Sequence, residues 1–122
     1  KKVYRINRLG LVKIKMSVLR QEKKLENQKK LVLYRIIQEG LQNIIKHSKA
    51  SEVNLTLHYF ENCLQIIIAD NGVGFDKNQP FNKDGGLGLQ NVTNRAILIG
   101  GEASIISNPN YGTTIQISTP YV

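Results

Sequence analysis

Apolar residues alternate with polar ones in some stretches of this chain and recur every three or four residues in others, and the two periods divide it into elements. From Leu11 to Val18, Val12, Ile14, Met16 and Val18 alternate with Lys13, Lys15 and Ser17, the period of a strand with one face on a core. The range 29–47 predicts the strongest helix. At about 100° per residue, Leu33, Tyr34, Ile37, Leu41, Ile44 and Ile45 form one stripe, while Glu39, Asn43 and Lys46 gather within about 60° of one another on the opposite side. Gly40 in the interior costs about 1 kcal/mol relative to Ala and so marks a close approach. Val53 to Phe60 and Cys63 to Ala69 read as strands joined at Glu61-Asn62; a two-residue hairpin there pairs Leu57 with Ile66 and Leu55 with Ile68. His58 then faces Gln65 on the other face, as an exposed strand residue rather than a ligand or base.

Leu89, Val92, Ala96 and Ile99 mark a second helix closing at Gly100-Gly101, and two last strands, 103–107 and 113–119, flank a turn at Asn108-Pro109-Asn110-Tyr111-Gly112. Residues 1–9 carry Val3, Ile6 and Leu9 at spacing three, which reads as the end of a helix closed by Gly10. Residues 20–28 and the polar run Asp76 to Asp84, with Pro80, read as loops, the second a mobile one. The order is strand, helix, two strands, helix, two strands. It predicts an α+β fold over residues 10–122: a two-layer α/β sandwich whose mixed, mostly antiparallel sheet of about five strands carries both helices on one face.

Composition narrows the function classes. The chain has 122 residues, about one domain's worth. Cys63 is the only cysteine, which excludes an internal disulfide and a Cys-based zinc site; in a strand it reads as a buried, inert thiol, and a reducing cytoplasm fits. No apolar run approaches the ~20 residues of a membrane span, and no signal-peptide pattern opens the chain. The formal charge of +8 divides into +11 over residues 1–49 and −3 over the rest. The basic half lacks the interleaved aromatics of a nucleic-acid stacking platform, so it reads as a solvated lysine-rich surface and not as a nucleic-acid site.

The candidate chemistry lies between Leu64 and Asn91. The isoleucine-rich run Leu64-Gln65-Ile66-Ile67-Ile68-Ala69 is a buried strand by composition, and it ends on Asp70 at the mouth of the loop Asn71-Gly72-Val73-Gly74-Phe75. A fixed acceptor there stands beside flexible backbone. A second glycine cluster, Gly85-Gly86-Leu87-Gly88-Leu89, precedes the second helix, so its amides meet a helix N-terminus that favours an anion. A ligand with a donor at one end and phosphates at the other is a purine nucleotide. The glycines do not follow the first strand of a βαβ unit, and no Gly-Lys-Ser/Thr ending is present, so neither a dinucleotide fingerprint nor a P-loop accounts for them.

Four clusters occur in order: Glu39/Asn43/Lys46-His47, Asp70-Asn71-Gly72-Val73-Gly74, Gly86-Leu87-Gly88-Leu89 and Gly112-Thr113-Thr114. They resemble the N, G1, G2 and G3 boxes of the GHKL ATPases. The run from Leu33 to Ala50 is similar to the N box of bacterial two-component sensor histidine kinases of the NarX/DesK/LiaS-like class. The resemblance implies a Bergerat-type fold, ATP and Mg²⁺ as ligands, and the ATP-binding catalytic domain of a histidine kinase. Its γ-phosphoryl would go to a histidine of a dimerisation domain, residues 1–9 being the remnant of the helical linker to it, and onward to a response regulator; nucleic acid and membrane contact are not expected. By resemblance, Asn43 would ligate Mg²⁺, Glu39 would assist proton transfer at the γ-phosphate, and Lys46 and His47 would lie by the phosphates. Asp70 would accept from the adenine amine, with Thr113 adding a hydroxyl nearby. Gly72 and Gly74 would admit the base, and Gly86, Leu87, Gly88 and Leu89 would present amides to the phosphates.

The chain departs from the family in having Gly40 where Ala is usual and Asp84 where many members have glycine, and no segment resembles the phosphoacceptor helix. Two other readings keep the fold: a serine kinase of the anti-sigma-factor type, and a non-catalytic ATP-gated interaction module. The sensor-like N box favours the histidine kinase.

Overall fold

The computed structural model describes residues 2–9, 12–44, 51–72, 92–108 and 112–121. Strands β1 (Lys2–Leu9) and β2 (Val12–Leu19) are followed by helix α1 (Asn27–Asn43), strands β3 (Glu52–Tyr59) and β4 (Cys63–Asp70), a helix α2 over residues 92–98, and strands β5 (Glu102–Asn108) and β6 (Gly112–Pro120). The six strands form one sheet in the order β1-β2-β3-β4-β6-β5. Only β2 and β3 pair in parallel. A parallel pair needs a crossover, and α1 supplies it.

The core lies on one face of this sheet. Leu64, Ile66, Ile68 and Asp70 alternate inward along β4, as do Thr113, Ile115, Ile117 and Thr119 along β6. Ile36 and Leu33 of α1 and Val92 and Ala96 of α2 join the same cluster, so both helices cover the face that the strands present. The hairpin register is the expected one, with Leu57 opposite Ile66, Leu55 opposite Ile68 and His58 opposite Gln65. His58 is half-buried rather than exposed, because its ring stacks on Phe60 with centroids 3.8 Å apart. Cys63 is likewise half-buried, with a free thiol.

Two expectations need correction. Residues 2–9 are strand, not helix, and form the sixth member of the sheet by pairing antiparallel with β2. The register shifts between Arg5 and Asn7, and such a bulge breaks the two-residue alternation by which a strand is read. The apolar stripe of α1 is also rotated from the expected one. It centres on Leu33, Ile36, Gly40 and Ile44, whereas Tyr34 is 66% exposed. The reason is Gly40: a Cβ there would lie 3.2 Å from Ile68 Cδ1 and 3.4 Å from Ile115 Cδ1, so the bare backbone lets the helix settle on two isoleucines. Glu39 consequently flanks the core at the edge of the stripe and does not stand opposite it.

The far end of the sheet is tied by the chain terminus. The Tyr121 hydroxyl lies 2.5 Å from the Phe60 carbonyl and 3.0 Å from that of Cys63, and Lys29 Nζ donates to the Pro120 carbonyl at 3.0 Å. Helix α2 ends through Gly101 N–H donating to Ala96 O at 2.8 Å, with Gly100 at φ +74°. The near end depends on Gly112, which opens β6 at φ +84° and whose added Cβ would sit 2.2 Å from the Asp70 carbonyl oxygen.

Substitution of Gly112 by Ala is therefore expected to destabilise by at least about 1–3 kcal/mol from its backbone conformation alone. Gly40→Ala should change stability by less than about 1 kcal/mol, since its helix-propensity gain opposes a contact with two flexible side-chain ends. Urea unfolding of both variants checks this; equal losses would contradict it.

Candidate nucleotide-binding site

The candidate site forms where β4 ends, β6 begins and the C-terminal turns of α1 pass over Ile68 and Ile115. Asp70 is the last residue of β4, on the inward face, and 9% exposed. Its Oδ1 accepts from the Gly72 N–H at 2.7 Å, and the backbone amide of Thr113 also bonds to the carboxylate. Oδ2 is buried and without a partner among the described residues. Burial raises the Asp70 pKa above the usual carboxylate value, and the amides of Gly72 and Thr113 oppose that rise without cancelling it.

A group whose pKa is raised on folding stabilises the fold in its protonated form. That contribution is complete below the ordinary carboxylate pKa and is lost as pH rises through the raised value. At a pH above that raised value the free protein carries an under-compensated carboxylate. A ligand N–H donor at Oδ2 would favour the charged form and offset the cost.

The loop after Asp70 is anchored by Asn71. Its side-chain Oδ1 accepts from the backbone N–H groups of Ser51 and Glu52 at 3.0 Å each, and its Nδ2 donates to Ser51 Oγ at 2.9 Å. The Asn71 N–H donates in turn to the Glu52 carbonyl at 3.2 Å. The exit from β4 is thereby fastened to the start of β3, and Gly72 is buried beside it. Thr113 is 5% exposed and lies against Asp70, to which its backbone amide donates.

On α1, Glu39 is half-buried and forms an ion pair with Arg95 of α2, from Oε1 to Nη1. Its other oxygen, Oε2, is buried and without a partner among the described residues. Asn43 closes α1 one turn further on. The structure thus brings Asp70, Gly72 and Thr113 together and sets Glu39 on the helix above them. The side chain of Asn43, and Lys46, His47, Gly74, Gly86, Leu87, Gly88, Leu89 and the loop from Asp76 to Asp84, lie outside the described residues.

Sequence reasoning missed Arg95 and gave Asn71 no role. Arg95 stands between Val92 and Ala96, both fully buried, so its place beside an apolar stripe was legible, but its partner lies on another helix. Asn71 was visible as part of the glycine-spaced loop, whereas its bonds to Ser51 and Glu52 depend on the pairing of β3 with β4.

Among the described residues no helix is long and apolar enough to cross a membrane. Residues 28–122 match the family model of the histidine kinase-, DNA gyrase B- and HSP90-like ATPases. The chain is 40% identical over 90 residues to the signal transduction histidine-protein kinase/phosphatase DegS of Brevibacillus brevis, covering 74% of this chain and 23% of that protein. It is 41% identical over 88 residues to the sensor histidine kinase LiaS of Bacillus subtilis strain 168, covering 72% and 24%. It thus spans about a quarter of the length of these curated relatives. Among solved structures, the histidine kinase domain of the Erythrobacter litoralis EL346 blue-light activated histidine kinase superposes with a TM-score of 0.72 at 20% identity, over 93% of this chain and 53% of that one, which shows a shared fold. With its glycine-backed carboxylate at a strand end and its N-box helix above, this chain belongs to the histidine kinase-, DNA gyrase B- and HSP90-like ATPase family, as an ATP-binding domain of the sensor histidine kinase type.

Proposed function

We propose that this chain binds Mg-ATP and supplies its γ-phosphoryl group to a histidine on a partner dimerisation domain, from which it passes to a response-regulator aspartate. The observation that carries the reading is Asp70 Oδ2, a buried acceptor with no partner among the described residues, at the end of a strand and on a carboxylate whose other oxygen is already held. The adenine exocyclic amine is a donor suited to it. A guanine carbonyl in the same place would set two acceptors against each other and leave the carboxylate unpaired.

The remaining roles follow from position along the chain. Gly72 allows backbone to approach the base, and the amides of Gly86, Leu87, Gly88 and Leu89 receive the phosphates, with Gly74 continuing the first glycine loop and Lys46 and His47 beside the phosphate end. The donor chemistry of α1 fits a Mg²⁺ ion, which takes oxygen ligands and keeps water and phosphate oxygens for the rest of its shell: Asn43 closes the helix one turn after Glu39. Asn43 would hold the metal by its amide oxygen, and Mg²⁺ would supply charge neutralisation between the phosphates.

In the transfer itself the acceptor imidazole nitrogen attacks the γ-phosphorus, a P–N bond forms, and the bond to the β,γ-bridging oxygen breaks to release ADP. Glu39 takes the proton from the imidazole nitrogen. A kinase of this kind works on the cytoplasmic side, where ATP and a response regulator are available.

Calorimetry with ATP tests the base site. Asp70→Asn should weaken binding by about 10- to 100-fold, the worth of a hydrogen bond to a charged acceptor. Without nucleotide, at a pH above the raised Asp70 pKa, its melting temperature should hold or rise, because the under-compensated charge is gone while Oδ1 can still accept from Gly72. In the unsubstituted chain, ATP affinity should fall as pH drops through the raised Asp70 pKa, with proton release on binding in that window. Unchanged affinity in Asp70→Asn would contradict the assignment. For the metal, Asn43→Ala should shrink the affinity gain that Mg²⁺ gives to ATP; a metal titration identical to that of the parent would remove Asn43 from the site.

A further inference from the structure

Helix α2 is buried through Val92, Ala96 and Ile99, positions spaced to face the sheet. Arg95 leaves this helix beside that stripe, and its guanidinium meets Glu39 on α1 with both side chains roughly seven-tenths covered, at 28% and 31% exposure. The pairing joins the helix that follows the second glycine loop to the helix that carries the N box. Its geometry is informative. Nη1 pairs with Oε1, and Oε2 is buried with no partner among the described residues. A purely structural tie between two helices would be better served by the two-point fork that arginine and carboxylate readily form. Here one oxygen is paired and the other has no partner among the described residues.

We propose that Arg95 is the positioning residue for Glu39: by holding Oε1 it fixes the carboxylate rotamer so that Oε2 is presented to the proton that leaves the phosphoryl acceptor. This rests on the reading of Glu39 as the base. Glutamate on a helix edge has several rotamers, and a proton acceptor must lie within hydrogen-bond reach of its donor, so fixing one rotamer supplies orientation that the helix alone does not. Arginine suits the role because its rigid, planar head restricts the geometries in which a carboxylate can meet it. Arg95 touches neither the nucleotide nor the reacting atoms in this scheme; it acts through Glu39.

The test is autophosphorylation by the full-length protein that carries this chain, with kcat and KM for ATP measured for Arg95→Met, Arg95→Lys, Glu39→Gln and the double variant Glu39→Gln/Arg95→Met. Arg95→Met should lower kcat by about 10- to 100-fold, the cost of misplacing a reacting group by about an ångström, with KM for ATP within about twofold of the parent. Arg95→Lys should recover part of the rate. In the Glu39→Gln background, adding Arg95→Met should cost less than about a further twofold, because nothing is left to position. A raised KM with kcat retained would make Arg95 a phosphate ligand and overturn the proposal, as would full additivity of the two substitutions. If Glu39→Gln itself leaves kcat intact, the base assignment fails first and the proposal with it. A loss confined to Arg95 variants while Glu39→Gln stays active would show an independent role. Melting temperatures of all four identify a folding defect; should Arg95→Met unfold, the Arg95→Lys pair with and without Glu39→Gln gives the same comparison.

Discussion

A carboxylate buried at the end of a strand, half satisfied by backbone and half left open, is the constraint around which this fold is arranged. Asp70 can be held there only if two amides reach it from different parts of the chain. Gly72 comes from the loop that follows β4, and Thr113 comes from β6. The second requires β6 to lie between β4 and β5, against the order of the sequence. It also requires Gly112 to take a conformation and an approach to the Asp70 carbonyl that a side chain would block. Asn71 completes the arrangement by fastening the loop to β3 through three side-chain bonds. Burying that carboxylate carries a cost that a ligand donor at Oδ2 would offset.

The second layer serves the same end of the sheet. Because Gly40 has no Cβ, α1 seats on Ile68 and Ile115, two residues from the acceptor strand and its neighbour. That contact sets the height and rotation of the last turns of α1 and brings Glu39 to the flank where α2 passes. Arg95 then meets it, so the N-box helix and the helix after the second glycine loop are linked by charge as well as by the shared core of Ile36, Val92 and Ala96. At the opposite end of the sheet Tyr121, Thr119 and Lys29 bind carbonyls at strand and helix ends, which closes the sandwich away from Asp70.

Much of this was legible in the sequence because its signals are local. Alternation along β4 and β6, the two-residue connection at Glu61-Asn62 and glycines after α2 each report on a few neighbouring residues, and the β3–β4 register followed from them. Asp70 was legible too, since a carboxylate that ends an isoleucine-rich strand has few bland explanations. The failures have a common cause in tertiary contact. Tyr34 and Ile36 differ little as helix formers, and which of them faces the core was decided by the bare backbone at Gly40 meeting two isoleucines from distant strands. A bulge hid β1 by shifting its alternation. The pairing of Arg95 with Glu39 joins two helices separated in the chain by strands β3 and β4, and no spacing rule reports on it.

The account stands or falls on whether Asp70 reads the amine of adenine. Titrating the chain calorimetrically with Mg-ATP and then with the inosine analogue, which differs by a carbonyl in place of that amine, isolates the contact while leaving sugar, phosphates and metal unchanged. The account predicts that inosine triphosphate binds at least about a hundredfold more weakly, because a buried carboxylate would be left facing an acceptor. Equal affinity for the two nucleotides would contradict it.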